Sequence, residues 1–346
     1  MTSRPYIPQT TIERRQASTA IHSLKQSEKL AGKDLGQHIE NRGHNSERTV
    51  LYLAYGSNIA SKTFLGSRGI KPVSLINVYV PELRLTFDLA GLPYEEPCFA
   101  TTRYRHIRNN DSDDKVEDSG LGEEKKTPLL SPEGCSDERK RWHKPLIGVV
   151  YEITFDDYAW MIATESGGRG YNEAVVDCYP FPDAYNPADE VPDCPTTQPF
   201  KAHCLLSLIA DQDDEDSLSA QDFRIRPDPT YAQPSVRYLS IIIAGAEENN
   251  LPLSYRAYLS QLHAYRITTT RQHIGRAIFL VLFGPLFKFI LYLTRVFAEP
   301  DGYSPAWLAL VASVGHACMW SCYDLVFARV FGNGERAEGF SLGEGV

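Results

Sequence analysis

Two short segments hold the residue types that small-molecule chemistry needs. The first is Tyr52-Leu53-Ala54-Tyr55-Gly56-Ser57-Asn58, an apolar run that ends in a glycine and two small polar residues. Gly56 lets backbone N–H groups come close to a ligand, and Ser57 and Asn58 add side-chain donors. Successive N–H groups in such a turn form a nest suited to a carboxylate. The same pattern also describes a plain tight turn after a buried strand. The second segment is Glu165 followed by Ser166-Gly167-Gly168-Arg169-Gly170. A carboxylate at a helix end beside a glycine-rich turn can reach a small substrate, and partial burial would raise its pKa toward the range of a general base. An ordinary exposed glutamate is the alternative. Glu152, Asp157 and Glu173 are less well placed.

Other chemistries find no support. The nine histidines form no HExxH or HxH pair, and the seven cysteines form no CxxC pair, so no metal site is expected. Cys98 reads as core packing, and Cys318 and Cys322 as small buried hydrophobes. His263 and His273 read as helix-surface residues. No glycine-rich phosphate loop is present, and no cofactor is expected. The formal charge of −9 argues against nucleic acid as a partner. The first residues contain no apolar segment of the kind that directs secretion, so an intracellular, reducing setting is expected.

The elements that must position these residues can be read in outline. Residues 1–48 are polar and charged, which predicts a disordered or loosely helical tail. Thr49 to Ala54 reads as a buried strand. Leu75 to Phe87, broken by Pro81, reads as one or two strands, Gly91 to Pro97 as loop, and Cys98 to Tyr104 as a strand. Residues 109–141 read as a long insertion loop. Leu146 to Thr154 is the clearest strand, followed by a helix from Phe155 to Thr164. Tyr171 to Pro180 and Phe200 to Ile209 read as strands on either side of a Pro-rich insertion loop at 183–199. Ser235 to Gly245 and Leu253 to Tyr265 read as helices. Short strands mixed with a few helices, without regular βαβ alternation, indicate α+β.

The C-terminal region changes character. Ile278–Phe297 and Trp307–Phe331 are apolar and long enough to cross a bilayer, yet they contain Pro285, Lys288, Arg295, His316, Asp324 and Arg329. Three readings compete: a helical pair packed on the core or on a second copy, an interfacial membrane helix, or a membrane hairpin. Arg266, Arg271 and Arg276 just before it suit anionic lipid or a helix end. The extension therefore offers a surface for a membrane or a homodimer. The location is cytoplasmic, with membrane association through residues 278–331 left open.

Four segments in order resemble the γ-glutamylcyclotransferase family: YLAYGSN at 52–58, GVVYEI at 148–153, ATESGGRGY at 163–171, and PSVRYLSIIIAGAEENNLPLSYRAYL at 234–259. Residues 68–100 and the apolar extension are similar to its filamentous-fungal branch, which includes the enzyme of the gliotoxin pathway. The resemblance spans about Thr49 to Tyr265. It implies a mixed, mostly antiparallel β-barrel with surrounding helices as catalytic domain (49–265), followed by an apolar helical extension (266–346). It implies that Tyr52, Leu53, Ala54, Tyr55, Gly56 and Ser57 form the substrate-binding loop. It further implies that Glu165 is the proton acceptor and that Tyr238 contacts substrate. Ser166 stands where the family usually has glycine. The implied reaction turns a γ-glutamyl amide into 5-oxoproline and a free amine, on a γ-glutamyl peptide, glutathione or a glutathione conjugate. The competing function is a non-catalytic, membrane-associated pathway protein that binds a ligand on the same fold.

Overall fold

The computed structural model describes residues 6–18, 49–105, 142–164, 172–206, 226, 228, 230–299 and 303–337. The expected loop at 109–141 and the glycine-rich segment after Thr164 lie outside these residues.

Five strands close a barrel. They are β1 (Thr49–Ala54), β2 (Ser74–Val80), β5 (Leu146–Thr154), β6 (Asn172–Pro180) and β7 (Phe200–Leu206), in the order β1-β5-β2-β6-β7. Neighbours pair antiparallel except at the closure, where β1 meets β7 in parallel at Tyr52 and His203. The fold is thus α+β around a mixed, mostly antiparallel barrel.

β5 is buried along all but its last residue, which is why its sequence is a continuous apolar run rather than an alternation. Gly148 in β5 is needed for space: a Cβ there would lie 2.6 Å from the Ala54 carbonyl oxygen. The polar exception in β5 is Glu152. It accepts hydrogen bonds from Thr49 (2.7 Å), Ser74 (2.7 Å) and Arg14 (2.8 Å).

Arg14 belongs to a segment that the composition assigned to the tail. Over residues 6–18 that reading is corrected. Gln9 forms a bridge beside Leu75, and a short helix, α1 (Ile12–Ala17), follows with Thr11 as its N-cap. The segment is held by long-range polar contacts to β1, β2 and β5, which its local composition does not report.

A separate hairpin, β3 (Leu83–Leu92) and β4 (Glu96–Tyr104), lies beside the barrel. The expected loop at Gly91–Pro97 shrinks to a tight turn. Tyr94 holds that turn at φ 63°, with its N–H on the Gly334 carbonyl and its hydroxyl on the Gly332 carbonyl. The partner is a distant part of the chain, so no local pattern announces the turn.

Helix α2 (Phe155–Thr164) follows β5, and α3 (Val236–Glu248) and α4 (Leu253–Gln261) pack on the barrel core. A long helix, α5 (Thr270–Val296), opens with a capping box between Thr269 and Gln272 and runs through Pro285. The chain returns through α6 (Ala306–Cys322), a π-helical turn (Tyr323–Phe327) and a last helical turn (Ala328–Phe331). The two arms pack on each other through Phe279, Trp320, Tyr323 and Phe327, with Tyr94 of the hairpin turn among them. Cys318 is exposed and Cys322 only half-buried among the described residues, against the expectation of two buried thiols.

Candidate active site

The turn after β1 is built from the barrel outward. Leu53 and Ala54 are fully buried, and Tyr55 anchors the strand end by donating its hydroxyl proton to the Leu205 carbonyl, 2.7 Å away. Tyr52 lies with its ring parallel to Phe64, which stacks in turn on Tyr151. The side chains of Tyr52, Leu53, Ala54 and Tyr55 therefore fix where the turn sits. Gly56 and the short 3-10 turn Ser57–Ile59 are what the strand presents beyond it. Gly56 has φ −102°, outside the left-handed region that favours glycine, and its surroundings are close rather than closed. A Cβ would lie 3.2 Å from the Tyr238 hydroxyl and 3.4 Å from the Ala100 Cβ.

Tyr238 reaches this turn from the first turn of α3. Ser235 caps that helix, its hydroxyl accepting the Tyr238 N–H at 3.0 Å. The Tyr238 hydroxyl in turn accepts the Ala100 N–H of β4 at 3.1 Å, and its ring meets Phe99 edge-on. The structure thus brings Gly56, Tyr238 and Ala100 to one point. Ala100 has no chemical signature in the sequence; only the fold reveals it.

A second connection leaves from Asn58, which is buried. Its Nδ2 donates to the Tyr52 hydroxyl at 3.0 Å, and its Oδ1 accepts from Arg68 Nε at 2.7 Å. Arg68 Nη1 then donates to the Thr164 hydroxyl at 2.6 Å. Thr164 ends α2, and Glu165 is the next residue. Glu165 itself lies outside the described residues. The Arg68 guanidinium joins the turn after β1 to the last residue of α2. The sequence reading did not single out Arg68, since nothing in the spacing of 58, 68 and 164 joins them before the chain folds.

Glu173, set aside as less well placed, turns a largely covered carboxylate, 6% exposed, toward His203 on β7. Its Oε1 accepts from His203 Nδ1 at 2.9 Å and from the Tyr158 hydroxyl at 3.1 Å. Burial, reinforced by Glu173, pushes the Tyr158 phenol well above its usual pKa, so it stays a proton donor. Tyr303, from the link between α5 and α6, brings its hydroxyl to 3.5 Å from Oε2. Donors on three elements engage this carboxylate, which suits an anchor more than a base facing substrate. Glu152 is likewise tied into the barrel wall. Burial pushes its carboxyl up, but the bonds from Ser74, Thr49 and Arg14 outweigh burial and hold it below the usual range. Cys98 is buried, and burial holds its thiol well above the usual range, which makes it a poor nucleophile.

Residues 269–330 match the family described as the AclK C-terminal domain. The gamma-glutamyl cyclotransferase gliK of Aspergillus fumigatus is 30% identical over 287 residues, covering 83% of this chain and 89% of that protein. The gamma-glutamyl cyclotransferase aclK of Aspergillus oryzae is 30% identical over 298 residues, covering 84% and 91%. Among solved structures, one titled gamma-glutamyl cyclotransferase aligns with a TM-score of 0.37 at 16% identity, over 64% of this chain and 93% of that one. A human protein described as uncharacterized aligns with a TM-score of 0.37 at 17% identity, over 65% and 94%.

Proposed function

The chain belongs to the γ-glutamylcyclotransferase family and is an enzyme of that activity; from this premise we propose how its residues carry the reaction. In a γ-glutamyl amide the α-amine attacks its own γ-carbonyl. The ring closes to 5-oxoproline and the amide nitrogen leaves as an amine. The attack is intramolecular, so the protein need not supply a nucleophile, and holding the bent chain provides much of the rate. The turn at Gly56 and Ser57 holds the α-carboxylate and the developing oxyanion with backbone N–H groups. Glu165 takes the proton from the α-ammonium and returns it to the leaving nitrogen. Tyr238, against Gly56, closes the substrate side of the turn.

The observation that carries this reading is the Arg68 bridge from Asn58 to Thr164. It ties the turn after β1 to the residue before Glu165, as a carboxylate-holding loop and its base require. The substrate within the class is proposed as a γ-glutamyl peptide, glutathione or a glutathione conjugate. Incubating the purified chain with γ-glutamyl-alanine, glutathione and S-methylglutathione, and quantifying 5-oxoproline, tests it. Release from at least one is expected; release from none contradicts the activity.

We further propose that residues 49–265 form the catalytic unit and 266–346 an extension docked along it. At its start, Arg276 pairs with Glu95. Tyr303, beyond the far end of α5, packs on the barrel core. With both ends of the helical pair resting on the catalytic unit, an interfacial arrangement fits better than a bilayer-spanning one. Its outer face shows Val281, Phe289 and Tyr292, 78%, 57% and 61% exposed, with Lys288 and Arg295 also exposed. We assign this face to an anionic membrane surface.

A further inference from the structure

Glu96, the first residue of β4, is a buried carboxylate to which the reaction as drawn above gives no role. Its Oε2 accepts the Ser235 hydroxyl proton, and its Oε1 accepts from Arg237 Nε at 2.5 Å. Ser235, also buried, is the N-cap of α3, and its hydroxyl accepts the Tyr238 N–H at 3.0 Å. A serine hydroxyl has one proton to give and two lone pairs with which to accept. With the proton committed to Glu96, the lone pairs are left for the helix N–H. A bond to an ionised acceptor is stronger than a neutral one, and a carboxylate is favoured at the positive end of a helix. Glu96 thus fixes the direction of the cap beyond what a serine does alone.

The far end of Tyr238 meets the same strand. Thr86 pairs with Thr101 and Leu89 with Phe99, with a register shift between them. Ala100 therefore falls where the β3–β4 ladder is interrupted, and its N–H goes to the Tyr238 hydroxyl. Glu96 and Ala100 are four positions apart on β4, about 13 Å at roughly 3.3 Å per residue. One strand holds Tyr238 twice: at its backbone, through Ser235 and Glu96, and at its hydroxyl, through Ala100, beside Gly56. The segment leading into the cap is held as well. Gln233 donates its N–H to the Glu335 carbonyl and accepts the Ala337 N–H through Oε1, both at 2.9 Å. The Pro234 carbonyl accepts the Tyr265 N–H at 2.8 Å.

We infer that Glu96 is a positioning residue for the cyclisation: it orients the Ser235 cap, and the cap sets where Tyr238 meets the turn at Gly56. Tyr238 lies in the first turn of α3, so its side chain follows any shift of the helix start. Loss of the Glu96 carboxylate leaves the Ser235 hydroxyl free to turn, and the Tyr238 hydroxyl then drifts from Ala100. A displacement of about 1 Å near a reacting group can cost on the order of a hundredfold in rate. The inference rests on the cyclotransferase reading given above.

A double-mutant cycle tests it. Glu96→Ala should lower kcat/KM for 5-oxoproline release by about tenfold. Glu96→Gln, whose amide oxygen can still accept the Ser235 proton, should stay within about threefold of wild type. In a Tyr238→Phe background, Glu96→Ala should cost less than about twofold more, because the hydroxyl that it positions is already gone. Ser235→Ala breaks the same link from the other side and takes the place of Glu96→Ala in the cycle if that variant does not fold. A Glu96→Ala variant near wild type, or losses that multiply across the cycle, overturns the proposal, since a residue that only stabilises the fold costs the same factor with or without the Tyr238 hydroxyl. Hydrogen exchange at the Ala100 amide reads the link without turnover. Exchange about tenfold faster in Glu96→Ala, with the amides of β5 unchanged, supports the positioning role even if no 5-oxoproline forms and the activity reading fails. Unchanged exchange at Ala100 overturns the positioning role, even if the activity stands.

Discussion

Arg68 is the residue through which the account is most exposed to experiment. Its side-chain hydrogen bonds to Asn58 and Thr164 suit a positioning residue, the role we propose for it. Arg68→Ala should leave KM nearly unchanged and lower kcat by roughly ten- to a hundredfold, since small misplacements near a reacting group cost rates of that order. Arg68→Lys, which can keep one bond but not both, should fall between. Steady-state kinetics of 5-oxoproline release checks this, and a variant that loses only thermal stability would reduce Arg68 to a structural role. Gly56, Ser57 and Glu165 could be named from residue types and from family resemblance. Arg68 and Ala100 could not, and Glu173 ranks low, because each acquires its meaning from a partner brought close only by the closed barrel or the hairpin.

At the scale of elements, β5 shows why some of the fold was readable. A strand buried on both faces must be apolar along its length, and Leu146 to Ile153 is, apart from Glu152. The N-terminal segment shows the opposite case. Its polar composition reads as a tail, yet Arg14 completes the coordination of Glu152 across 138 positions of sequence. The Glu152 carboxyl is held below the ordinary glutamate value of 4.5. A depressed pKa in the folded state means that its stabilisation is complete above that value and is lost as pH falls through the folded-state pKa. Glu152→Gln should therefore lower the melting temperature at pH 7, by an amount equivalent to roughly 1–3 kcal/mol. The gap between variant and wild type should narrow below about pH 4.5. Melting curves from pH 7 to pH 3 measure this; a gap that stays constant with pH would show that the ionised form of Glu152 contributes nothing.

For the whole molecule, the extension poses the main question. Helix α5 holds 27 residues, about 40 Å at 1.5 Å per residue. Length and hydropathy alone would let it and its partner cross a bilayer. We read the contacts of Arg276 with Glu95, and of Tyr303 with the barrel core, as favouring the arrangement proposed above, with the pair lying along the barrel. Sequence alone could not separate those arrangements, since apolar composition is common to all of them. Replacing Val281 and Phe289 by Asp should abolish co-sedimentation with phosphatidylserine vesicles and leave 5-oxoproline release intact. A wild-type chain that ignores vesicles but runs as a dimer would assign the face to a second copy. The central claim concerns the reaction itself, and Glu165→Gln tests it most directly. Measured on the γ-glutamyl substrate that the wild type turns over fastest, 5-oxoproline release should fall by about 10²–10⁴-fold, with circular dichroism and melting temperature unchanged. Activity within a few-fold of wild type in a folded Glu165→Gln variant would contradict the account.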